Sequence, residues 1–126
     1  MRSVFAVAPD LFFATKIAAV AKAAGAGLTL VPLATALERC AAAPPALLLL
    51  DLHASGDPCA LVVALKGDPR TRAIPVVGFY SHVETALRSA ALAAGIDQAL
   101  PRSAFVMRLP ALLAGEPGRD PAGTSS

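Results

Sequence analysis

The side chains able to do chemistry are few, and their placement matters more than their number. Asp10, Asp51, Ser81, His82, Arg102 and Ser103 each follow closely on a short apolar run. Ser81, His82, Arg102 and Ser103 combine one guanidinium, two hydroxyls and the starts of two expected helices. That combination suits a phosphate-like or carboxylate ligand, because helix N-termini and guanidinium groups both favour negative charge. His82 and His53 lack the Ser-His-carboxylate spacing of a nucleophilic triad and read as cap or solvent residues. Cys40 and Cys59 lie in apolar helical sequence, with no second Cys or His at metal-ligand spacing, and read as buried free thiols. Gly25 and Gly27 follow an expected helix instead of opening one, which excludes a dinucleotide-binding loop. With no nucleophile beside an oriented base and no metal cluster, the expectation is a binding module and not an enzyme.

These residues have to be positioned by the elements around them, and the apolar pattern defines those elements. Val4–Ala8 reads as a buried strand, stopped by Pro9 and by Asp10, whose carboxylate can cap the following helix. That helix is expected over Leu11 to about Ala24, with Phe12, Ile17, Val20 and Ala24 on one face, Lys16 and Lys22 in water, and Gly25 and Gly27 ending it. Leu28–Leu33 is a second strand and Thr35–Ala42 a second helix. Ala46–Leu52 is apolar without alternation, as a central parallel strand covered on both faces must be, so the polar Asp51 near its end stands out. Helix three is expected over about Cys59–Lys66, strand four over Ile74–Tyr80, helix four over Val83–Ala94 with Gly95 as its stop, and strand five over Ile96–Leu100. Ser103 is expected to cap a last helix running to about Leu113, with Pro110 kinking or shortening it.

Five strands alternating with five helices predict an α/β fold: a doubly wound, five-stranded parallel sheet with helices on both faces and right-handed crossovers. Ligand sites in such sheets lie beyond the carboxyl ends of the strands, where the strand order switches. In this sequence that region holds Ala8, Pro9, Asp10, Asp51, Tyr80, Ser81, His82, Pro101 and Arg102. Residues 1–114 are expected to form one domain, and 115–126, rich in Gly, Pro and Ser, a disordered tail.

Composition narrows the partners. The chain has 126 residues, with 11 Lys plus Arg against 9 Asp plus Glu, a formal net charge of +2. No run of like charge is present to track a phosphate backbone, so nucleic-acid binding is not expected. No apolar run approaches the roughly 20 residues that cross a bilayer, and the amino terminus lacks a secretory h-region, so the expectations are no membrane contact and a cytoplasmic location.

Several stretches together resemble the receiver domain of bacterial response regulators. They are the Leu-Leu-Leu-Asp51-Leu-His53 run, Ile74-Pro75-Val76-Val77, the Ala93-Ala94-Gly95-Ile96-Asp97 turn and Leu100-Pro101-Arg102-Ser103-Ala104-Phe105. The likeness spans about Arg2 to Leu113 and implies a flavodoxin-like (CheY-like) fold with strand order 2-1-3-4-5. It also implies a phosphorylation site, of which only part is present. Asp51 matches the phospho-acceptor. Ala8 and Pro9 stand where the Mg²⁺-binding acidic pair belongs, leaving Asp10 as the nearby carboxylate, so no metal is expected beyond a weak Mg²⁺ site at Asp10 and Asp51. The switch hydroxyl falls on Tyr80, with Ser81 next to it, and the Lys position is Arg102. Arg102 is expected to clasp Asp51 and fill the space that phosphate would take. The resemblance therefore implies a stand-alone atypical receiver, or pseudo-receiver, with a vestigial pocket at Asp10, Asp51, Tyr80, Ser81 and Arg102. It would signal by protein-protein contact, to another signalling protein or to a second copy of itself, through a surface that includes Arg88, Gln98, Phe105 and Arg108. Two alternatives stay open: a small-anion sensor at Ser81, His82, Arg102 and Ser103, and a true phospho-accepting regulator that would use Mg²⁺.

Overall fold

The computed structural model describes residues 2–81 and 83–115. In chain order the elements are β1 (Arg2–Val7), α1 (Leu11–Ala24), β2 (Ala26–Leu30), α2 (Leu33–Ala42), β3 (Leu47–Asp51), α3 (Pro58–Gly67), β4 (Val76–Tyr80), α4 (Thr85–Ala94), β5 (Gln98–Pro101) and α5 (Arg102–Ala114). The strands are all parallel and form one sheet in the order β2-β1-β3-β4-β5, the expected topology. The expected tail from residue 116 onward lies outside the described residues.

Strand alternation divides the core in two. Val4, Ala6, Leu47, Leu49, Val77 and Phe79 face one side, where Phe13 and Ile17 of α1 and Phe105, Leu109 and Leu113 of α5 cover them. Phe5, Val7, Leu48, Leu50, Val76 and Tyr80 face the other side, against α2, α3 and α4. Every residue of β3 and β4 is buried, which accounts for the unbroken apolar run Leu47 to Leu50 and leaves Asp51 as the polar exception. Each fully buried Leu, Val or Phe contributes about 1.5–3 kcal/mol, so these two layers drive the fold.

Local chemistry sets the ends of the elements. Asp10 accepts from the Phe12 and Phe13 amides and starts α1, and Gly25, at φ 73°, ends it in the left-handed region that glycine alone adopts without cost. Asp57 caps α3 in the same way through the Ala60 amide. At the amino edge of the sheet, the Lys66 ammonium donates to Asp97 Oδ2 at 2.7 Å and to the Ile74 carbonyl at 2.8 Å, tying α3 to the approaches of β4 and β5. On the same edge the Arg2 guanidinium donates to the carbonyl of Leu112 at 3.0 Å, clasping the last turn of α5.

Several expectations are corrected. Phe12 is 92% exposed, and Phe13, Ala14, Ile17 and Ala21 form the buried face of α1. Five residues of helix turn through about 500°, so Phe12 and Ile17 point some 140° apart, and Phe13 is the residue in phase with Ile17. Gly27 belongs to β2 instead of ending α1, and Leu33 opens α2 instead of closing β2. Helix α4 starts at Thr85, two residues later than expected. Ser103 is inside α5; the cap position is Pro101, which has no side-chain acceptor, because the chain passes from β5 into α5 without a loop. Pro110 does not shorten α5, which continues to Ala114. Cys40 is buried as expected, whereas Cys59 is half-buried.

Candidate functional site

The carboxyl ends of β1, β3, β4 and β5 meet the N-termini of α1 and α5, and this rim holds most of the polar residues singled out in the sequence. Arg102 is the first residue of α5. Its guanidinium carbon sits 4.5 Å from the ring centre of Phe13 and 5.7 Å from that of Phe79. Those two rings and Phe105 form an aromatic cluster with centroid separations of 4.5–5.8 Å. A guanidinium nitrogen of Arg102 also lies 3.8 Å from Asp10 Oδ2. At that length and exposure the ion pair contributes about 0–1 kcal/mol, similar to the cation–π contact, so the aromatic seat fixes Arg102 at least as much as the carboxylate does.

The expected Asp51–Arg102 clasp does not form; among the described residues the ion-pair partner of Arg102 is Asp10. Arg102 leaves the start of α5 toward α1 and the Phe13 ring. Asp51, 5% exposed, instead uses Oδ1 to accept from the His53 amide at 2.8 Å, while the Ala54 amide donates to its backbone carbonyl at 3.1 Å. The carboxylate thereby holds the turn that leaves β3.

Tyr80 is not in the rim. It is 3% exposed and packs in the core layer against α2, α3 and α4. In β4, Phe79 faces α1 and α5, so period-two alternation sends Tyr80 to the opposite face. Ser81 is on the rim: its amide donates to His53 Nε2 at 2.9 Å, joining the ends of β4 and β3. Ser81 does not open α4, which starts four residues later. His82 lies outside the described residues.

A cleft of about 790 Å³ opens between α1 and α5 at this rim. Phe13 and Lys16 supply one wall, Arg102, Ser103 and Val106 the other, and His53 and Ser81 the strand-end border. Lys16, His53 and Val106 were not among the expected site residues. For Lys16 and Val106 the one local signal is helical spacing, Lys16 three residues after Phe13 and Val106 four after Arg102, and their convergence depends on α1 packing against α5, whereas His53 sits just past the end of β3.

The expected interaction surface is only partly on the outside. Phe105 is fully buried in the aromatic cluster, since it shares the inward face of α5 with Leu109 and Leu113. Arg88 of α4 is exposed, and Gln98 of β5 and Arg108 of α5 are half-buried. Neither thiol lines the cleft, and burial raises the pKa of both; Arg39 partly opposes the shift at Cys40, and Asp57 adds to it at Cys59.

The residues present do not fit a divalent cation. Asp10 has one oxygen capping α1 and the other facing Arg102, one oxygen of Asp51 holds the β3 turn, and Ala8 and Pro9 precede Asp10. Among the described residues no three His, Cys, Asp or Glu side chains gather where they would hold a metal. No described helix is long and apolar enough to cross a membrane.

Comparison with known proteins places the fold. A putative response regulator from Chloroflexus aurantiacus superimposes with a TM-score of 0.78 at 21% identity, over 90% of this chain and 98% of its own. The receiver domain of a sensor histidine kinase from Pseudomonas aeruginosa, solved with magnesium in its active-site cleft, gives 0.77 at 18% identity over 90% and 98%. The phosphorylated cyanobacterial phytochrome response regulator RcpA gives 0.73 at 21% identity over 91% and 90%. The chain has the receiver fold. No protein-family model matches the sequence, and neither does any curated protein.

Proposed function

We propose that the chain is an atypical receiver, a pseudo-receiver, that acts in signalling or regulation by protein-protein contact without Asp phosphorylation. The placement of Arg102 carries this reading. A phosphorylation switch needs a cation beside the phosphorylated Asp, a neighbouring hydroxyl to follow it and a metal to neutralise the phosphoryl group. Here the cation at the Lys position rests on Phe13 and faces Asp10, the residue at the hydroxyl position is turned into the core, and the carboxylates near β1 are reduced to one that caps a helix. Among the described residues no three side chains gather to hold a metal, and His53 pairs with the Ser81 amide and not with its hydroxyl, so the reading is of a non-enzyme.

The surface formed by α4, β5 and α5, with Arg88, Gln98 and Arg108, is the proposed contact face for another signalling protein or a second copy. Phe105, as a core residue, is no part of it. Amide NMR tests the proposal. Spectra of the protein with Mg²⁺, then with Mg²⁺ plus beryllofluoride, a mimic of the phosphoryl group on Asp, are expected to show no saturable shifts around Asp51. Large saturable shifts that vanish in Asp51→Ala would establish a phosphorylation switch instead.

A further inference from the structure

We propose that the cleft between α1 and α5 binds a small organic anion, a phosphate monoester or carboxylate carried on an aromatic or apolar body. Its volume of about 790 Å³ lies in the range of roughly 300–1,000 Å³ typical of small-molecule sites. The charge is one-sided. Lys16 and Arg102 line the cleft, and among the described residues no carboxylate does. Among the described residues Lys16 has no ion-pair partner, and the only carboxylate paired with Arg102 is Asp10, which lies outside the lining. An anion entering here meets one uncompensated ammonium and one guanidinium already seated on Phe13.

The rest of the lining argues for an organic body. Phe13 and Val106 give each wall an apolar surface, and an inorganic anion would fill a small part of the space. Ser103, at the second position of α5, lines the same wall and has its backbone amide among those left without a helical acceptor. Ser81 and His53 border the ligand from the sheet, their backbone-to-ring hydrogen bond holding both in place before anything binds. Asp51 is not among the lining residues and acts on the site only through the His53 amide that it holds.

The test is a titration with phenyl phosphate, and in parallel with inorganic phosphate, followed by amide NMR without any divalent cation. Saturable shifts are expected at Phe13, Lys16, Ser81, Ser103 and Val106, with phenyl phosphate binding at least tenfold more tightly than inorganic phosphate. Lys16→Gln, an exposed substitution that leaves the fold intact, and Arg102→Gln are each expected to weaken binding about tenfold or more, the usual effect of losing a charge-assisted hydrogen bond. Absence of saturable shifts at millimolar phenyl phosphate would overturn the assignment, as would binding that both substitutions leave unchanged. Equal affinity for the two probes would overturn the organic body.

Discussion

Replacing Phe105 by Ala separates a core ring from an interface ring. The side chain is fully buried, 4.5 Å from the Phe79 centroid and 5.8 Å from that of Phe13. Truncating a buried Phe costs about 3–5 kcal/mol, of which each lost aromatic pair accounts for about 0.5–1.5 kcal/mol. A domain of this length has a total stability of about 6–17 kcal/mol, so the variant stays folded at 25 °C and the loss is measurable. In urea, with a slope of about 1.5 kcal/mol per M, the unfolding midpoint falls by about 2–3 M. A thermal melt drops by about 12–20 °C at roughly 4 °C per kcal/mol. Circular dichroism follows both transitions. Met107→Ala, two positions along and largely exposed, is the control and should change stability by less than about 0.5 kcal/mol. A Phe105→Ala loss below about 1 kcal/mol at unchanged slope would refute the packing of α5 described above.

Two further outcomes follow from the titratable groups. The Arg70 side chain, hydrogen-bonded to Asp68, holds that carboxyl below its usual range. A depressed folded-state pKa favours folding above the unfolded value, near pH 4, and that contribution disappears as pH falls through the folded value. The stability difference between the protein and Asp68→Asn, measured from pH 6 to pH 2, should therefore shrink below pH 4, and a difference that stays flat with pH would contradict the pairing. Burial raises the pKa of both thiols. At pH 7.5 iodoacetamide should label native protein slowly, half-buried Cys59 before buried Cys40, and both rapidly in denaturant; fast native labelling of Cys40 would count against its position on the buried face of α2.

The sheet was legible because its signal is redundant. Leu47 to Leu50 of β3 each contribute an apolar side chain to one layer or the other, and Asp10 and Gly25 bracket α1 with chemistry that has few other uses. The site was less legible, for two different reasons. Tyr80 and Phe12 were readable in principle: the parity of β4 and the 100° step of α1 place them, and the error lay in matching positions instead of following the period. The partner of Arg102, the His53–Ser81 bond and the presence of Lys16 in the cleft depend on how α5 leans toward α1, which no local pattern encodes. Ser103 was misplaced because a strand that runs straight into a helix through Pro101 leaves no room for a separate capping residue.

Arg2 begins the first strand and grips the final turn of the last helix, so the described fold starts and finishes at one seam on the amino edge of the sheet. The cleft, on the carboxyl edge, occupies the opposite pole. Anything joined to either end of the fold, a fluorescent reporter or a surface tether, emerges on the far side from the rim. The same geometry makes the two ends near neighbours, so a short linker between them would allow the chain to be reopened at an exposed loop, such as the one around Gly56, with its layer order preserved.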